Sequence, residues 1–370
     1  MKFKVIALTA LFSITAVAPS FAALPLSEIP AVMSEMTSSP RLNNPAIVLM
    51  DQNSGKIIYQ RSADTMRKPA STLKLLSAVA AIDYLGAAKT FHTSLYNSDR
   101  SNEVVLIGES DPWIALTDKE AKDYDRVSRT KIATAIKKAT TARTITIRYS
   151  GMYSTDLTNL RIQLNRMGKR VYVVKSTESN ALLHAGTEIA TYTSPNVQKM
   201  IEWTLLWSDN KLAERLARKA ALRAGHRPDP VGINEVFDEE LTKFGIKTNH
   251  VNFVDGSGLD YENKLTADVL AQLLFKIRHD PHYSPILTGL PIGGVSGTMQ
   301  ERFWKSAPDA VGLVKAKTGS LLGTVSMAGY VESPDHEYIF VAIADQIPRS
   351  EYAAKQARST LDKILAKLVV

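Results

Sequence analysis

Apolar and polar positions fall in blocks along this chain, and the blocks predict a protein of mixed helices and strands. Residues 45–50 are an apolar run, residues 51–55 are polar with a glycine, and residues 56–60 are a second run. Two such runs around a short polar loop predict a β-hairpin. The next apolar block covers residues 73–85 and halts at Gly86, with Pro69 just upstream. Proline near the start and glycine just past the end bracket a helix. Apolar residues lie on almost every side of it, which predicts burial rather than a surface position.

From residue 91 the pattern changes. Residues 91–96 and 103–107 predict strands, with Gly108-Glu109-Ser110-Asp111-Pro112 as a turn. Residues 119–141 are charged and partly helical, 144–149 alternate as a strand does, 157–167 read as helix and 170–174 as strand. This block, 91–189, carries no cluster of catalytic residue types and is expected to be an inserted, smaller mixed domain. The principal domain would then be discontinuous, 23–90 with 190–370.

Ser194-Pro195-Asn196 predicts a helix start, and the helix runs to Trp207. Trp203 and Trp207, four apart, are expected to pack in the core; stacking on carbohydrate is the alternative. Ser208-Asp209-Asn210 interrupts, a helix resumes over 212–222, and 225–232 reads as a loop. A glycine-dense turn follows residues 251–254, and residues 266–277 read as helix. Residues 290–298 form a loop, with a short helix beginning at Met299. Residues 312–316, 324–331 and 338–344 predict three strands, and 351–368 a final amphipathic helix. The fold class is α/β of the α+β kind. An antiparallel sheet from the first hairpin and the last three strands would be flanked by the final helix and the helical middle.

Composition narrows the picture. The 370 residues suffice for two domains. The net charge of +8 is spread along the chain, with no basic run interleaved with aromatics, so no nucleic acid partner is expected. Lys2 and Lys4, an apolar stretch over 5–17 and the small residues of Ser20-Phe21-Ala22 make residues 1–22 a secretory signal cleaved before Ala23. The apolar stretch is too short for a membrane anchor. No cysteine is present, which excludes disulfides, thiolate chemistry and a lipoprotein attachment site. No later run approaches 18 apolar residues, so no stable membrane anchor is expected after signal cleavage. The nearest approach to a metal pattern, His279-Asp280-Pro281-His282, is broken by its proline. Neither metal nor cofactor is expected.

The chemistry gathers on short motifs. Ser71 and Lys74 are three apart at the start of the buried helix, so they share one face. A hydroxyl beside an amine at a helix's positive end arranges a weak nucleophile with its base. The spacing alone is cheap, since Ser128 with Lys131 and Ser208 with Lys211 repeat it. The bland reading of any single match is a helix cap or a surface pair. The signal sharpens when Ser71-x-x-Lys74, Ser208-Asp209-Asn210 and Lys317-Thr318-Gly319 are taken in order, because that set is the penicillin-recognising serine signature. Lys-Thr-Gly occurs once, at the end of an expected strand, where glycine would let a substrate backbone approach an edge.

With these motifs, the chain resembles the D-alanyl-D-alanine carboxypeptidases of the low-molecular-mass, class C penicillin-binding type. Val254-Asp255-Gly256-Ser257-Gly258-Leu259, Leu290-Pro291-Ile292-Gly293-Gly294-Val295-Ser296-Gly297-Thr298, Ala316-Lys317-Thr318-Gly319-Ser320-Leu321 and Ala328-Gly329-Tyr330-Val331 carry the likeness, with an echo in Gly108-Glu109-Ser110-Asp111-Pro112. It covers most of 40–345 and is weakest over 115–180, where the insert is shorter than usual. The resemblance implies a penicillin-binding, transpeptidase-like sandwich with an inserted domain between the first two motifs. It implies a serine DD-peptidase acting on peptidoglycan stem peptides, acylated by β-lactams, in the periplasm or outside the cell.

The roles it implies are these. Ser71 attacks the acyl carbon and Lys74 takes its proton. Ser208 relays a proton to the leaving amine, and Asn210 holds Lys74 and a substrate amide. Lys317 and Thr318, with Gly319, bind the terminal carboxylate. The N–H groups of Ser71 and Ser320 form the oxyanion hole, roughly 3–4 kcal/mol per donor in comparable hydrolases. A lysine base at neutral pH requires its pKa to fall by about three units, roughly 4 kcal/mol, which burial and a second cation such as Lys317 can supply. Asp255 is an accessory residue of the site or simply a turn former. Two rivals are a β-lactamase, disfavoured by the long block between Lys74 and Ser208, and a wall-binding protein with a retired site.

Overall fold

The computed structural model describes residues 24–369, so the expected signal segment lies outside the described residues. The elements follow in order: α1 (Ile29–Thr37), β1 (Ala46–Asp51), β2 (Ile57–Arg61), a 3₁₀ turn (Ala70–Leu73), α2 (Lys74–Leu85), β3 (His92–Ser98) and β4 (Glu103–Gly108). Then come α3 (Asp118–Lys122), α4 (Arg129–Ala139), β5 (Thr144–Ser150), α5 (Ser154–Arg166), β6 (Arg170–Lys175), α6 (Glu178–Leu182) and β7 (Ala185–Thr193). The chain continues with α7 (Val197–Trp207), α8 (Asn210–Ala224), α9 (Pro230–Lys243), α10 (Ala267–Arg278) and α11 (Ser284–Gly289). It closes with β8 (Val314–Leu321), β9 (Thr324–Glu332), β10 (Glu337–Ala344) and α12 (Glu351–Val369).

One sheet has the order β2-β1-β10-β9-β8 and every neighbouring pair in it is antiparallel. Alternation along its strands sends successive side chains to two different cores. Ile47, Leu49, Met327 and Phe340 face α1 and α12, while Val48, Met50, Ala328 and Val341 face α2 and the helices after it. The sheet is therefore the middle of three layers, with β8 at an edge. Helix α2 runs through the centre of the helical layer, and every residue from Lys74 to Ile82 is buried. Burying Leu75, Leu76, Val79 and Ile82 stabilises the fold by about 1.5–3 kcal/mol each.

The second sheet has the order β6-β5-β4-β3-β7. Its β4, β5 and β6 are parallel and its β3 pairs antiparallel with both β4 and β7. Helices α4 and α5 cover one face through Ile132, Ile136, Leu157 and Leu160. The chain enters and leaves this unit side by side: Ser194 N–H donates to the Phe91 carbonyl at 2.9 Å, and Val197 N–H to that of Lys89 at 2.9 Å.

Several expectations need correction. Strand β7 carries no clean alternation and was not anticipated; it takes the second sheet to Thr193, past residue 189. Helix α9 replaces the end of the loop expected over 225–232, because Asp229 caps it and Pro230 occupies its first position. Met299 ends a single 3₁₀ turn rather than opening a helix. The sequence pattern marks none of the short helices α1, α6 and α11. Trp203 packs against Tyr124 and Trp113 as expected, with ring centroids at 4.5 and 5.6 Å, but Trp207, also expected in the core, is 45% exposed.

A buried acid pair joins α2 to α9. Asp83 accepts from Tyr283 Oη at 2.9 Å and pairs with Lys243 and His282. Burial first, and the neighbouring Asp83 second, push the Glu240 carboxyl up to about 8 from its ordinary 4.5. Glu240 therefore holds a proton in the fold that the unfolded chain releases. Its stabilisation is full below pH 4.5 and is lost as pH rises through 8. Glu240→Gln, which keeps a donor toward Asp83, should flatten this loss. We expect a melting temperature about 2–4 °C above wild type at pH 9 and unchanged at pH 4, read by circular dichroism.

Candidate active site

The segment entering α2 is folded tightly. Ala70 has φ +50°, a left-handed conformation that costs roughly 1–2 kcal/mol in a residue with a side chain. It turns the chain so that Ser71 lies in the 3₁₀ turn and Lys74 opens the helix. Lys74 is fully buried, and its ammonium has three partners: Ser71 Oγ at 2.7 Å, Asn210 Oδ1 at 2.7 Å and the Ser257 carbonyl at 2.6 Å. Burial pulls the Lys74 pKa down from 10.5 to about 7, although Asp255 and Asp209 act in the opposite direction. The fall is of the size that a lysine base requires.

Asn210 reaches Lys74 from 136 residues away because α7 and α8 are broken at Ser208. Ser208 has φ +60° and ends α7, and Asp209 caps α8 by accepting from Leu212 N–H at 2.9 Å. All three Lys74 donors are taken, and Ser208 is not among their acceptors.

Lys317, Thr318 and Gly319 lie inside β8, which runs on to Leu321 instead of ending at the motif. Lys317 is fully buried on the α2 side of the sheet, and its amine donates to the Thr318 carbonyl at 2.8 Å. Burial, and then the charge of Lys74, hold its pKa well below the ordinary value. Thr318 Oγ1 bonds Thr298 Oγ1 at 2.8 Å, which ties the strand to the loop beside it. Ala316 N–H donates outward to the Pro291 carbonyl at 3.0 Å. By alternation the N–H groups of Thr318 and Ser320 point to the same outer edge, away from β9.

The strand and the Ser71 turn are in direct contact. Ser326 Oγ donates to the Pro69 carbonyl at 2.6 Å. A Cβ at Gly319 would lie 2.9 Å from Ser71 N and 2.1 Å from Ser326 Oγ. The structure thus brings Ser71, Lys74, Asn210, Lys317 and Gly319 into one site. Two contributors were not named from sequence, the Ser257 carbonyl and Ser326. A backbone carbonyl leaves no signature in residue identity, and Ser326 is one ordinary serine in a strand.

The competing Ser-x-x-Lys match at Ser128 is a helix cap. Its hydroxyl accepts from Thr130 N–H at 3.0 Å and Lys131 N–H at 3.3 Å. Among the described residues, Asp99, Glu103 and His184 place three possible metal-ligand atoms within 4.8 Å. Arg148 already donates to Glu103 at 2.8 Å, so that carboxylate's charge is met. None of the three belongs to the Ser71 site.

A three-layer sandwich with a helix-borne serine and lysine beside a Lys-Thr-Gly edge strand defines the penicillin-recognising serine class. The chain belongs to the D-Ala-D-Ala carboxypeptidase 3 (S13) family, whose pattern matches residues 30–139 and 126–368. It is similar to Carboxypeptidase DacB of Mycolicibacterium smegmatis, 27% identical over 370 residues, with 86% of this chain and 79% of that one covered. Its fold is like that of penicillin binding protein 4 (dacB) from Haemophilus influenzae, with a TM-score of 0.71 at 18% identity, covering 90% of this chain and 99% of the other. A further crystal structure of that protein, complexed with a β-lactam, has a TM-score of 0.70 at 18% identity, over 92% of this chain and 98% of the other.

In a strand, glycine to alanine ordinarily stabilises by about 0.5–1 kcal/mol. At Gly319 the close approach to Ser71 and Ser326 should reverse that sign. Gly319→Ala is expected to cost about 1–3 kcal/mol in urea unfolding, while Ser320→Ala, on the exposed neighbour, stays within about 0.5. A neutral or stabilising Gly319→Ala would mean that β8 and the Ser71 turn are not packed as described.

Proposed function

We propose that this protein is an exported serine DD-peptidase, hydrolysing the D-Ala-D-Ala bond of peptidoglycan stem peptides through an acyl-enzyme on Ser71. The observation that carries the reading is the fully buried Lys74 amine, with a pKa of about 7, at 2.7 Å from Ser71 Oγ. The segment over residues 1–22 supports export. Among the described residues no helix is long and apolar enough to cross a membrane.

In the first half-reaction neutral Lys74 accepts the Ser71 proton as Oγ attacks the carbonyl of the penultimate D-alanine. The developing oxyanion is met by the N–H groups of Ser71 and Ser320. The proton passes by way of Ser208 to the leaving nitrogen, the C–N bond breaks, and D-alanine departs. In the second half-reaction a water gives a proton to the same amine and attacks the ester, which frees the acid and restores Ser71. Lys317 and Thr318 receive the substrate's terminal carboxylate. That carboxylate supplies the counter-charge the buried Lys317 lacks, so binding favours its ammonium form. A charged Lys317 then favours the neutral, basic form of Lys74.

Two measurements test this. Intact mass with excess benzylpenicillin should show one long-lived adduct on wild type and none on Ser71→Ala, and a D-Ala-D-Ala pentapeptide should lose D-alanine only with wild type. Penicillin consumed with a fleeting adduct would favour a β-lactamase, and the absence of both adduct and turnover would favour a retired site. A cross-linked dimeric stem peptide reads endopeptidase activity separately. The acylation rate should fall as pH drops through about 7, where Lys74 gains its proton, and should plateau above it.

A further inference from the structure

The turn that follows residues 251–254 is built as a frame around one carbonyl. Asp255 Oδ1 accepts from Ser257 N–H at 2.8 Å and Gly258 N–H at 2.6 Å, and its Oδ2 accepts from Asp260 N–H at 2.8 Å. Asn263 is fully buried. Its Oδ1 accepts from Val254 N–H at 2.8 Å and Asp255 N–H at 3.3 Å. Its Nδ2 donates to Asp255 Oδ1 at 3.2 Å and to the Asp260 carbonyl at 3.0 Å.

The frame is fastened to the helices that carry the site. Gly256 N–H donates to Glu214 Oε2 at 2.7 Å, one turn beyond Asn210 on α8. Ser77, one turn beyond Lys74 on α2, donates to the Gly256 carbonyl. Gly258 closes on the strained Ala70, since a Cβ there would lie 1.9 Å from the Ala70 carbonyl oxygen.

Two of the three Lys74 partners, Asn210 Oδ1 and the Ser257 carbonyl, can only accept. When the amine is neutral its two N–H groups must serve them. The lone pair is then left facing the third partner, the Ser71 hydroxyl, which can donate. We infer that Asp255 and Asn263 are positioning residues for the base: by locking the turn they hold the Ser257 carbonyl where it orients the Lys74 lone pair onto Ser71. The inference rests on the DD-peptidase reading of the site.

The titratable groups facing Lys74 are Lys317 from β8, Asp209 from the joint between α7 and α8, and Asp255 from this turn. Asp255→Asn keeps the shape but removes a negative charge that favours the ammonium form. The midpoint of the acylation pH profile should move about half a unit or more to lower pH. The plateau rate should fall by about tenfold as the turn loosens, with KM for the pentapeptide within about twofold of wild type. Asn263→Ala leaves every charge in place, so it should lower the plateau rate by about tenfold while KM again holds.

Far-ultraviolet circular dichroism and melting temperature report whether each variant folds. If Asn263→Ala does not fold, the isosteric Asp255→Asn alone decides. A midpoint and plateau identical to wild type in Asp255→Asn would overturn the inference, as would losses no larger than the loss of folded protein. Wild type that forms no penicillin adduct would instead defeat the underlying functional reading.

Discussion

An amine sealed in an apolar core is the constraint on which this structure depends. A lysine ammonium taken out of water is costly unless its hydrogens are all bonded, and even then the neutral form gains ground. Lys74 meets the first condition with three acceptors drawn from the 3₁₀ turn, from α8 and from the 254–260 turn. None of these lies on the same face by accident. The long apolar run of α2 forces burial, burial demands acceptors, and acceptors so far apart in sequence require α8 and the turn to converge on the start of α2. A second buried amine, Lys317, lies close enough on the sheet for the charge of Lys74 to help hold its pKa down.

The same convergence explains where conformational strain sits. Ala70 and Ser208 both take left-handed backbone angles; Ala70 adjoins Ser71, and Ser208 lies two residues before Asn210. Such conformations persist where the surroundings over-determine them. At Ala70 they do so from two sides: Gly258 lies against its carbonyl and β8 lies against the peptide that follows, where Gly319 leaves space for Ser71 N. The contact needs two positions without side chains, one in the turn and one in the strand.

Much of this was legible in the chain itself. The hairpin, the three late strands and the final helix announced the antiparallel sheet, because each had clean punctuation and a period matching its element. The relation of Ser71 to Lys74 could be read because a helix converts a spacing of three into proximity. The elements missed were those with weak pattern. Strand β7 is half-exposed along its length, so apolar alternation does not mark it. Helix α9 was hidden by the glycine and prolines at its start, although Asp229 before Pro230 is a capping signal. Long-range pairing was not legible in any residue type. Lys74 with Asn210, Ser326 with Pro69 and Gly256 with Glu214 are set by how layers stack, and Ser257 acts through a main-chain atom that every residue possesses.

Helix α8 shows how one element can serve two units at once. Asn210 and Glu214, four apart, face the active site, where they meet Lys74 and the Gly256 N–H. Lys211, Arg215 and Lys219, again four apart, form the adjacent stripe and face the second sheet's unit. Lys211 and Arg215 pair with Asp156 at 3.3 and 2.9 Å, and Lys219 donates to the Glu109 carbonyl at 2.7 Å. Asp156 and Arg215 are both buried, so removing one partner would strand the other's charge. The second sheet's unit is therefore attached through a charged seam on the helix whose neighbouring face meets Lys74. One helix thereby ties the placement of that unit to the placement of a Lys74 acceptor, because Asn210 and Lys211 are consecutive.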